Sequence, residues 1–294
     1  ILKTLDKLAL QAKLSQWSEQ VLSVSSKNLL EGIDLDGKTL RGTKKQGADD
    51  YHLLSALSQS FGITLEQIAV SSKTNEITAV EQLLENLVLQ GRIFTMDALL
   101  TQRKVAEKIT QGGDDYLMIA KDNQVTLKED IETVLTGELQ FGKSAESFET
   151  VDKGHGRMEY RKITVTGQLL GYINWPGAKQ VFQIERAVTR KGKTISEKVY
   201  GLTSLTVNAE RLLSLSRGHW AIENKSHWVR DVTFDEDRSQ VRDSGIAQVM
   251  ATFRNISIGL IRLSGRERIA EACRYFAANP AQALALLRLR AKTT

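Results

Sequence analysis

The sequence has few of the residues that cross-link a chain or interrupt its regular structure. Among its 294 residues are one cysteine, Cys273, and two prolines, Pro176 and Pro280. A single cysteine excludes a disulfide framework and a cysteine-based zinc site, and it fits a reducing compartment. Because proline is scarce, long helices and strands are not forced to end. No apolar stretch approaches a membrane span and no signal peptide is visible, so we expect a cytoplasmic protein without a membrane partner.

The excess of positive charge lies in the C-terminal part of the sequence. The net charge is +5, and residues 211–294 carry 14 Lys and Arg against 8 Asp and Glu. The preceding 210 residues carry 26 against 27. A polyanion such as DNA would be attracted to this C-terminal part, although solvated helix faces produce the same distribution.

The order of the predicted elements favours a mixed α/β fold. Alternating apolar residues and turn signals predict three strands, at 29–36, 51–58 and 62–71. Helices and strands then alternate, with a helix opening at about 74, a strand at 92–97, a helix at 101–112, a strand at 116–120 and a helix at 126–137. Three antiparallel strands followed by alternating helices and strands are typical of the ribonuclease H-like arrangement, in which the first and fourth strands are neighbours.

The rest of the sequence predicts a β-rich block and then helices. Strand patterns occupy 147–152, 157–166, 181–190 and 195–203, and helical sequence from about 208 is interrupted near 232–238 and 264–266. We therefore expect four parts: a remnant of an N-terminal helical region at 1–25, the first part of the core at 26–137, an inserted β-rich subdomain at 138–206, and a helical completion of the core at 207–294.

Two apolar runs in the sequence each lead to an aspartate. Asp36 ends the first predicted strand and Asp97 ends the fourth, with 60 residues between them. Neighbouring strands would bring these carboxylates together, and Glu223, on a predicted helix, is the third candidate. Carboxylate oxygens are the ligands that magnesium prefers, and two such ions can clamp the attacking and leaving oxygens of a phosphoryl transfer. The pattern therefore predicts an enzyme that cuts or joins phosphodiesters.

Other residues near these acids leave alternatives open. Asp34 shares a strand face with Asp36, and Asp36 is preferred because the glycine after it lets the backbone approach a ligand closely. His219, Glu223 and His227 recur every four residues, a spacing that places them on one face of an α-helix and could indicate zinc. The sequence lacks the two-histidine motif of zinc proteases, so phosphate positioning or helix packing is the favoured interpretation. Two downstream acids, Asp231 and Glu236, are reserve metal ligands.

Basic and polar side chains beside these positions are candidate contacts for DNA phosphates, which such side chains hold without reading sequence. The candidates are Lys38, Arg41, Lys121, His155, Arg157, Arg217, His219 and Arg230. Trp220 and Trp228 are interpreted as core anchors, with stacking on an unpaired base as the alternative.

The same residues resemble a known family, the H-repeat-associated insertion-sequence transposases of the DDE superfamily. The matching stretches run in order over nearly the whole chain and comprise Asp36–Gly42, Lys73–Ala79, Met96–Ala98, Gly154–Arg157, Trp175–Gly177 and Arg217–Phe234. The chain departs from the family pattern after Asp97-Ala98, where Leu99-Leu100-Thr101-Gln102 follows. His219 and Arg230 stand where related transposases have Arg and Lys around the glutamate.

The resemblance implies a ribonuclease H-like core, a β-rich insertion before the glutamate, and Asp36, Asp97 and Glu223 as the acidic triad. It also implies Mg²⁺ or Mn²⁺, as two ions, and double-stranded DNA, both element ends and target, as partner. A homodimer assembled on DNA, in the bacterial cytoplasm at the nucleoid, is expected. Two alternatives stay open at this point: a nuclease of the same fold that cannot join ends, and an inactive or truncated remnant that still binds DNA.

Overall fold

The computed structural model describes residues 2–25, 31–43, 51–70, 76–87, 91–140, 145–154, 156–169 and 173–288. The chain divides into two compact units, Ile1–Val88 with Trp220–Thr294, and Leu89–His219. No helix of the described residues combines the length and apolar character that crossing a membrane requires.

The strands are β1 (Gly32–Leu40), β2 (Tyr51–Ser58), β3 (Thr64–Val70), β4 (Ile93–Met96), β5 (Asp115–Ala120), β6 (Glu146–Gly154), β7 (Arg157–Thr166), β8 (Gln180–Arg190) and β9 (Lys193–Thr203). The α-helices are α1 (Lys7–Ser25), α2 (Glu76–Asn86), α3 (Arg103–Gln111), α4 (Val125–Gln140), α5 (Ala209–His219), α6 (Ser244–Leu263), α7 (Ile269–Ala278) and α8 (Pro280–Arg288). Two π-helical segments, Ile222–His227 and Val229–Thr233, follow α5. The predicted start of α2 near residue 74 lies outside the described residues.

The first unit is built on three antiparallel strands with β2 in the centre. Helix α1 packs on β3 and α6, and α2 packs on β2 and β3. The C-terminal helices have their own apolar cluster, in which Ile258 and Ile261 of α6 meet Ile269 of α7 and Val229 of the second π-helical segment. This cluster fixes the π-helical segments to the C-terminal helices.

Strand β1 is longer than the sequence predicted. The prediction ended it at Asp36, but pairing with β2 continues through Lys38, opposite Leu53, to Leu40, opposite Tyr51. Asp36 therefore lies within the strand, and the predicted strand end at this residue was wrong. A buried lysine is unusual in a strand, and it is tolerated here because Lys38 is paired with Asp231.

The second unit contains the strand order β4-β5-β9-β8-β7-β6, in which β4 and β5 are parallel and all other pairs are antiparallel. Its core includes Leu117, Ile163, Phe182 and, from α5, Leu212. The predicted β-rich block supplies four of these strands, and β9 pairs directly with β5 of the preceding part. The mixed α/β fold with C-terminal helices is confirmed, whereas the division into four parts stays a prediction.

Candidate active site

A cavity of about 840 Å³ lies in the first unit, between β1 and the π-helical segments. It is lined by residues of β1 and of the π-helical segments, by Trp228 between those segments and by Arg41 directly after β1: Asp36, Gly37, Lys38, Thr39, Arg41, Glu223, Asn224, His227, Trp228 and Asp231. Two of the three predicted catalytic acids, Asp36 and Glu223, therefore share one cavity although 187 positions separate them in the sequence.

Asp36 is a partly exposed carboxylate on β1, with contacts to its backbone neighbour and to a histidine. The Gly37 N–H donates to Asp36 Oδ1 at 2.8 Å, and His227 Nδ1 lies 3.4 Å from Oδ2. Apart from its chain neighbours, no atom of the described residues lies within 4 Å of the place where a Gly37 side chain would begin. This space is compatible with the close approach of a ligand for which Gly37 was singled out, and the preference for Asp36 stays a prediction. Asp34, the alternative, is fully buried, and Gln59 donates to its Oδ1.

The lysine in this cavity is paired with acids other than Asp36. Lys38 is 7% exposed, and its ammonium lies 2.6 Å from Asp231 Oδ1 and 3.9 Å from Asp237 Oδ1. Burial and the neighbouring Asp231 carboxylate raise the pKa of Asp237 above its ordinary value. Lys38 thus compensates internal negative charge, an arrangement that does not favour its predicted role as a DNA contact.

The π-helical segments bring Glu223, His227 and Asp231 to the same cavity. In an α-helix a step of four residues turns by about 40° beyond a full circle, so residues eight apart would diverge by about 80°. A π-helical turn contains more than four residues, so a step of four falls short of a full circle there instead of exceeding it. The α-helix ends at His219, so the α-helical face predicted for His219, Glu223 and His227 was wrong.

His227 is a neutral side chain at neutral pH. Burial above all, with the nearby charges of Arg230 and Lys38, lowers its pKa to about 3. Its Nε2 atom is buried and has no hydrogen-bond partner among the described residues. The ring therefore contributes a hydrogen-bonding dipole beside Asp36 rather than a positive charge.

Asp97, the third predicted acid, lies in the second unit directly after β4, where a short 3-10 helix, Ala98–Leu100, begins. Lys121 donates to Asp97 Oδ1 at 2.9 Å. Burial acts to raise the pKa of Asp97, but hydrogen bonds from Lys121 and the Ala98 backbone, together with nearby positive charge, outweigh it and lower the pKa. Asp97 is accordingly ionised at neutral pH.

His219 also lies in the second unit, at the end of α5. Its Nδ1 is 3.0 Å from Thr95 Oγ1, and burial lowers its pKa to about 4, against the opposing influence of Asp97. At neutral pH the ring is uncharged, so a contact with DNA would be a hydrogen bond and not an ion pair.

The remaining predicted DNA contacts differ in exposure. Arg41 is 75% exposed and lies 3.4 Å from Asp237. Arg157 and Arg217 are partly exposed and have acidic neighbours, Glu159 at 3.7 Å and Asp152 at 2.9 Å. His155 lies outside the described residues.

Arg230 requires a correction, because the predicted contact with DNA is wrong in this fold. Its side chain is completely buried and pairs with Glu236 Oε2 at 2.7 Å. Arg254 of α6 pairs with the other oxygen of Glu236 at 2.8 Å. The two arginines and one glutamate form a buried ion triad that connects the second π-helical segment to α6, and Glu236 is therefore not available as a reserve metal ligand.

The donor chemistry of the cavity suits a hard divalent cation. Among the described residues, no group of three or more His, Cys, Asp or Glu side chains converges closely enough to hold a metal ion by itself. Magnesium is commonly bound by one or two carboxylates, with water and substrate phosphates completing the shell. Asp36 and Glu223 supply two carboxylates to one cavity, which fits that mode of binding.

The partners that surround Asp36 were not predicted from the sequence. The four-residue spacing of Glu223, His227 and Asp231 was visible, but the contact of His227 with Asp36 and the pairing of Asp231 with Lys38 join residues about 190 positions apart. Nothing in the local sequence indicates such long-range pairs.

Comparisons with known proteins agree on one family. The family described as "Transposase DDE domain" matches residues 27–260. The chain is 30% identical to the putative transposase YncI of Escherichia coli O157:H7, over 89% of this chain and 69% of that protein. It is 32% identical to the H repeat-associated putative transposase YhhI of Escherichia coli K12, over 78% of this chain and 63% of that protein.

A solved structure shares the fold at low sequence identity. The piggyBac transposase, determined as a synaptic complex with hairpin DNA, aligns with a TM-score of 0.50 and 11% identity. The alignment covers 91% of this chain and 55% of that one. This likeness concerns the fold alone, and it is consistent with the ribonuclease H-like class predicted from the element order.

Proposed function

Since the chain belongs to the DDE transposase family, we propose that it is a DNA transposase that cleaves insertion-sequence ends and transfers the freed strands to target DNA. The chain spans between 63% and 69% of the length of the relatives named above. The activity of those whole proteins is therefore part of the proposal. Its catalytic carboxylates are Asp36, Asp97 and Glu223.

The observation that carries this proposal is the shared cavity of Asp36 and Glu223. These two acids belong to distant parts of the sequence, yet β1 and the first π-helical segment place both on one open, polar cavity. Asp97 enters the proposal through its position directly after β4, its ionised state and its match to the family motif. Ionised carboxylates are the form that binds a divalent cation.

In this proposal two ions of Mg²⁺ or Mn²⁺ are held by Asp36, Asp97 and Glu223. When bound, such ions polarise the phosphodiester and lower the pKa of an attacking water. The residues of the chain supply orientation and charge balance around them. The Gly37 N–H holds one oxygen of Asp36, and Lys38 compensates Asp231, so that the cavity does not accumulate excess negative charge.

The proposed partner is double-stranded DNA, bound through Arg41, Lys121, Arg157 and Arg217. Each of these side chains is at least two-fifths exposed. Each cation can therefore pair with a phosphate oxygen of DNA, either in place of its carboxylate partner or together with it. Assembly as a homodimer on DNA, at the nucleoid of the bacterial cytoplasm, completes the proposal. The contacts between these cations and phosphates hold the DNA backbone and read no base sequence by themselves.

The test is a cleavage and joining assay with labelled duplexes taken from the DNA that flanks the coding sequence. Asp36→Asn, Asp97→Asn and Glu223→Gln remove the charge at each acid while keeping its shape. Each variant is expected to lose on the order of 1000-fold in Mg²⁺-dependent cleavage rate. Asp235→Asn is the matched control, because this exposed acid of the first unit pairs only with Arg238 three residues away in the contacts described.

The products separate the competing functions. Joined target DNA indicates a transposase, whereas cut ends without joining indicate a nuclease of the same fold. Salt-sensitive DNA binding without cleavage at any Mg²⁺ or Mn²⁺ concentration would reduce the protein to a DNA-binding remnant. Cleavage that persists in the Asp36→Asn and Asp97→Asn variants would remove these acids from the mechanism.

A further inference from the structure

The side chain that faces Asp36 from the π-helical segment is His227. Its Nδ1 lies 3.4 Å from Asp36 Oδ2, and the side chain is only 13% exposed although it borders an open cavity. This distance is longer than that of a well-formed N–H···O hydrogen bond, about 2.7–3.2 Å, so a small movement of either side chain would complete the bond.

We propose that His227 is a positioning residue that orients the Asp36 carboxylate for cation binding by donating Nδ1–H to Oδ2. The inference rests on the proposed function, because it assigns a role to the carboxylate that the proposal makes a metal ligand. In this arrangement the Gly37 N–H holds Oδ1 and His227 would hold Oδ2. A carboxylate oxygen has further lone pairs, so both oxygens keep the capacity to bind a cation.

The chemistry of the contact determines which nitrogen carries the proton. Asp36 Oδ2 is an acceptor only, so a lone pair on Nδ1 would be repelled by it, while an N–H is attracted. A neutral ring has one N–H, and placing it on Nδ1 leaves Nε2 as a bare acceptor. Nε2 is buried without a hydrogen-bond partner among the described residues, so the polar contact described for the ring is the one between Nδ1 and Asp36.

The backbone around His227 supports a fixed position for the ring. His227 is the last residue of the first π-helical segment, and Val229, two residues on, is buried in the apolar cluster with Ile258 and Ile269. Partners that orient a metal ligand without touching the metal typically change metal affinity by 10- to 100-fold when removed. A ring anchored in this way is suited to that role.

The test compares metal binding by three variants of the whole chain. His227→Ala removes the donor, His227→Asn keeps a donor near the place of Nδ1, and Asp36→Asn removes the carboxylate charge. Mn²⁺ titrations followed by electron paramagnetic resonance give the affinity without any need for DNA cleavage. We expect about a 10-fold weaker affinity for His227→Ala, and His227→Asn within about threefold of the parent.

Each outcome bears on a different claim. Equal Mn²⁺ affinity in the parent and in Asp36→Asn would contradict the proposed function. A loss of affinity in Asp36→Asn with no change in His227→Ala would overturn the inference alone. His227→Asn binding as weakly as His227→Ala would also overturn it, because ring volume rather than the donor would then matter. Thermal unfolding of each variant separates a loss of affinity from a loss of folded protein.

Discussion

Asp36 and Asp97 have surroundings of similar composition but different arrangement. Each carboxylate is accompanied by a lysine and by a histidine whose pKa is strongly lowered by burial. At Asp97 the lysine, Lys121, is exposed and bonds the carboxylate directly at 2.9 Å. At Asp36 the lysine, Lys38, is buried and bonds Asp231 instead, while the histidine, His227, contacts the carboxylate.

The two acids differ in which group contacts the carboxylate oxygens that are proposed to bind a cation. An ammonium bonded to a carboxylate stabilises its ionised form and also competes with a metal for the same oxygen. A neutral imidazole orients a carboxylate without neutralising it. Asp97 is therefore a stabilised anion whose Oδ1 is bonded to Lys121, whereas Asp36 is contacted by a neutral imidazole; in the proposed function a metal would have to replace Lys121 at Asp97.

The largest effect that would sharpen this comparison is the pH dependence of stability. Both histidines have lower pKa values in the folded protein than the unfolded value of 6.5, so the unfolded state binds more protons between about pH 6.5 and pH 4. The free energy of unfolding should fall as the pH is lowered through this interval, by on the order of 3 kcal/mol for His219 and more for His227. Urea unfolding at several pH values measures the decline.

Two variants serve as controls for this decline. His219→Gln and His227→Asn cannot take up a proton, and each should flatten the stability curve between pH 6.5 and pH 4. A curve as steep as that of the parent in both variants would show that other groups cause the acid sensitivity. Histidines with lowered pKa values would then no longer be a feature that Asp36 and Asp97 share.

The second largest expected effect is on the free energy of unfolding, which should fall by different amounts when Lys38 and Lys121 are replaced. Lys38→Met leaves Asp231 without its buried partner and should lower the free energy of unfolding by on the order of 3 kcal/mol. Lys121→Met breaks an exposed pair and should cost less than about 1 kcal/mol. Chemical unfolding of both variants gives the comparison.

A double variant tests whether the larger cost comes from the ion pair. Adding Asp231→Asn to Lys38→Met removes the uncompensated charge, so the double variant should be more stable than Lys38→Met alone. Equal costs for Lys38→Met and Lys121→Met would contradict the distinction between a buried and an exposed lysine.

The smallest effect concerns DNA affinity. Arg41 and Lys121 are the exposed cations beside Asp36 and Asp97, so Arg41→Ala and Lys121→Ala should each reduce the slope of log affinity against log salt by about 0.9. Lys128→Ala is the control, because Lys128 forms an exposed pair with Asp122 and is not among the predicted contacts. Fluorescence anisotropy with duplex DNA at increasing salt measures the slopes, and unchanged slopes in both variants would remove these side chains from the interface.

Local sequence predicted the strands closely where a period-two pattern is bounded by turn residues. The predicted strands 51–58 and 157–166 coincide with β2 and β7, and 181–190 differs from β8 by one residue. The prediction ended the first strand too early, at Asp36, because an aspartate followed by glycine and lysine is typical of a turn. The burial that keeps Lys38 in the strand depends on Asp231, which lies 193 positions away.

The sequence supplied candidate residues for the site but not their arrangement, and the catalytic role of those residues stays a prediction. Motif resemblance selected Asp36, Asp97 and Glu223, and the cavity unites the first and last of these. Charge and position suggested Arg230 as a DNA contact, although the fold buries it against Glu236. A buried arginine and a solvent-facing arginine look alike in sequence, since the difference is made by a partner in another element.

The wide turns between Ile222 and Thr233 have a consequence for the spacing of the chain itself. Each residue of a helix rotates the next about the axis, so deleting one residue between Glu223 and Asp231 would rotate these side chains relative to each other. Their placement on one cavity depends on the number of residues between them as well as on their chemical identity.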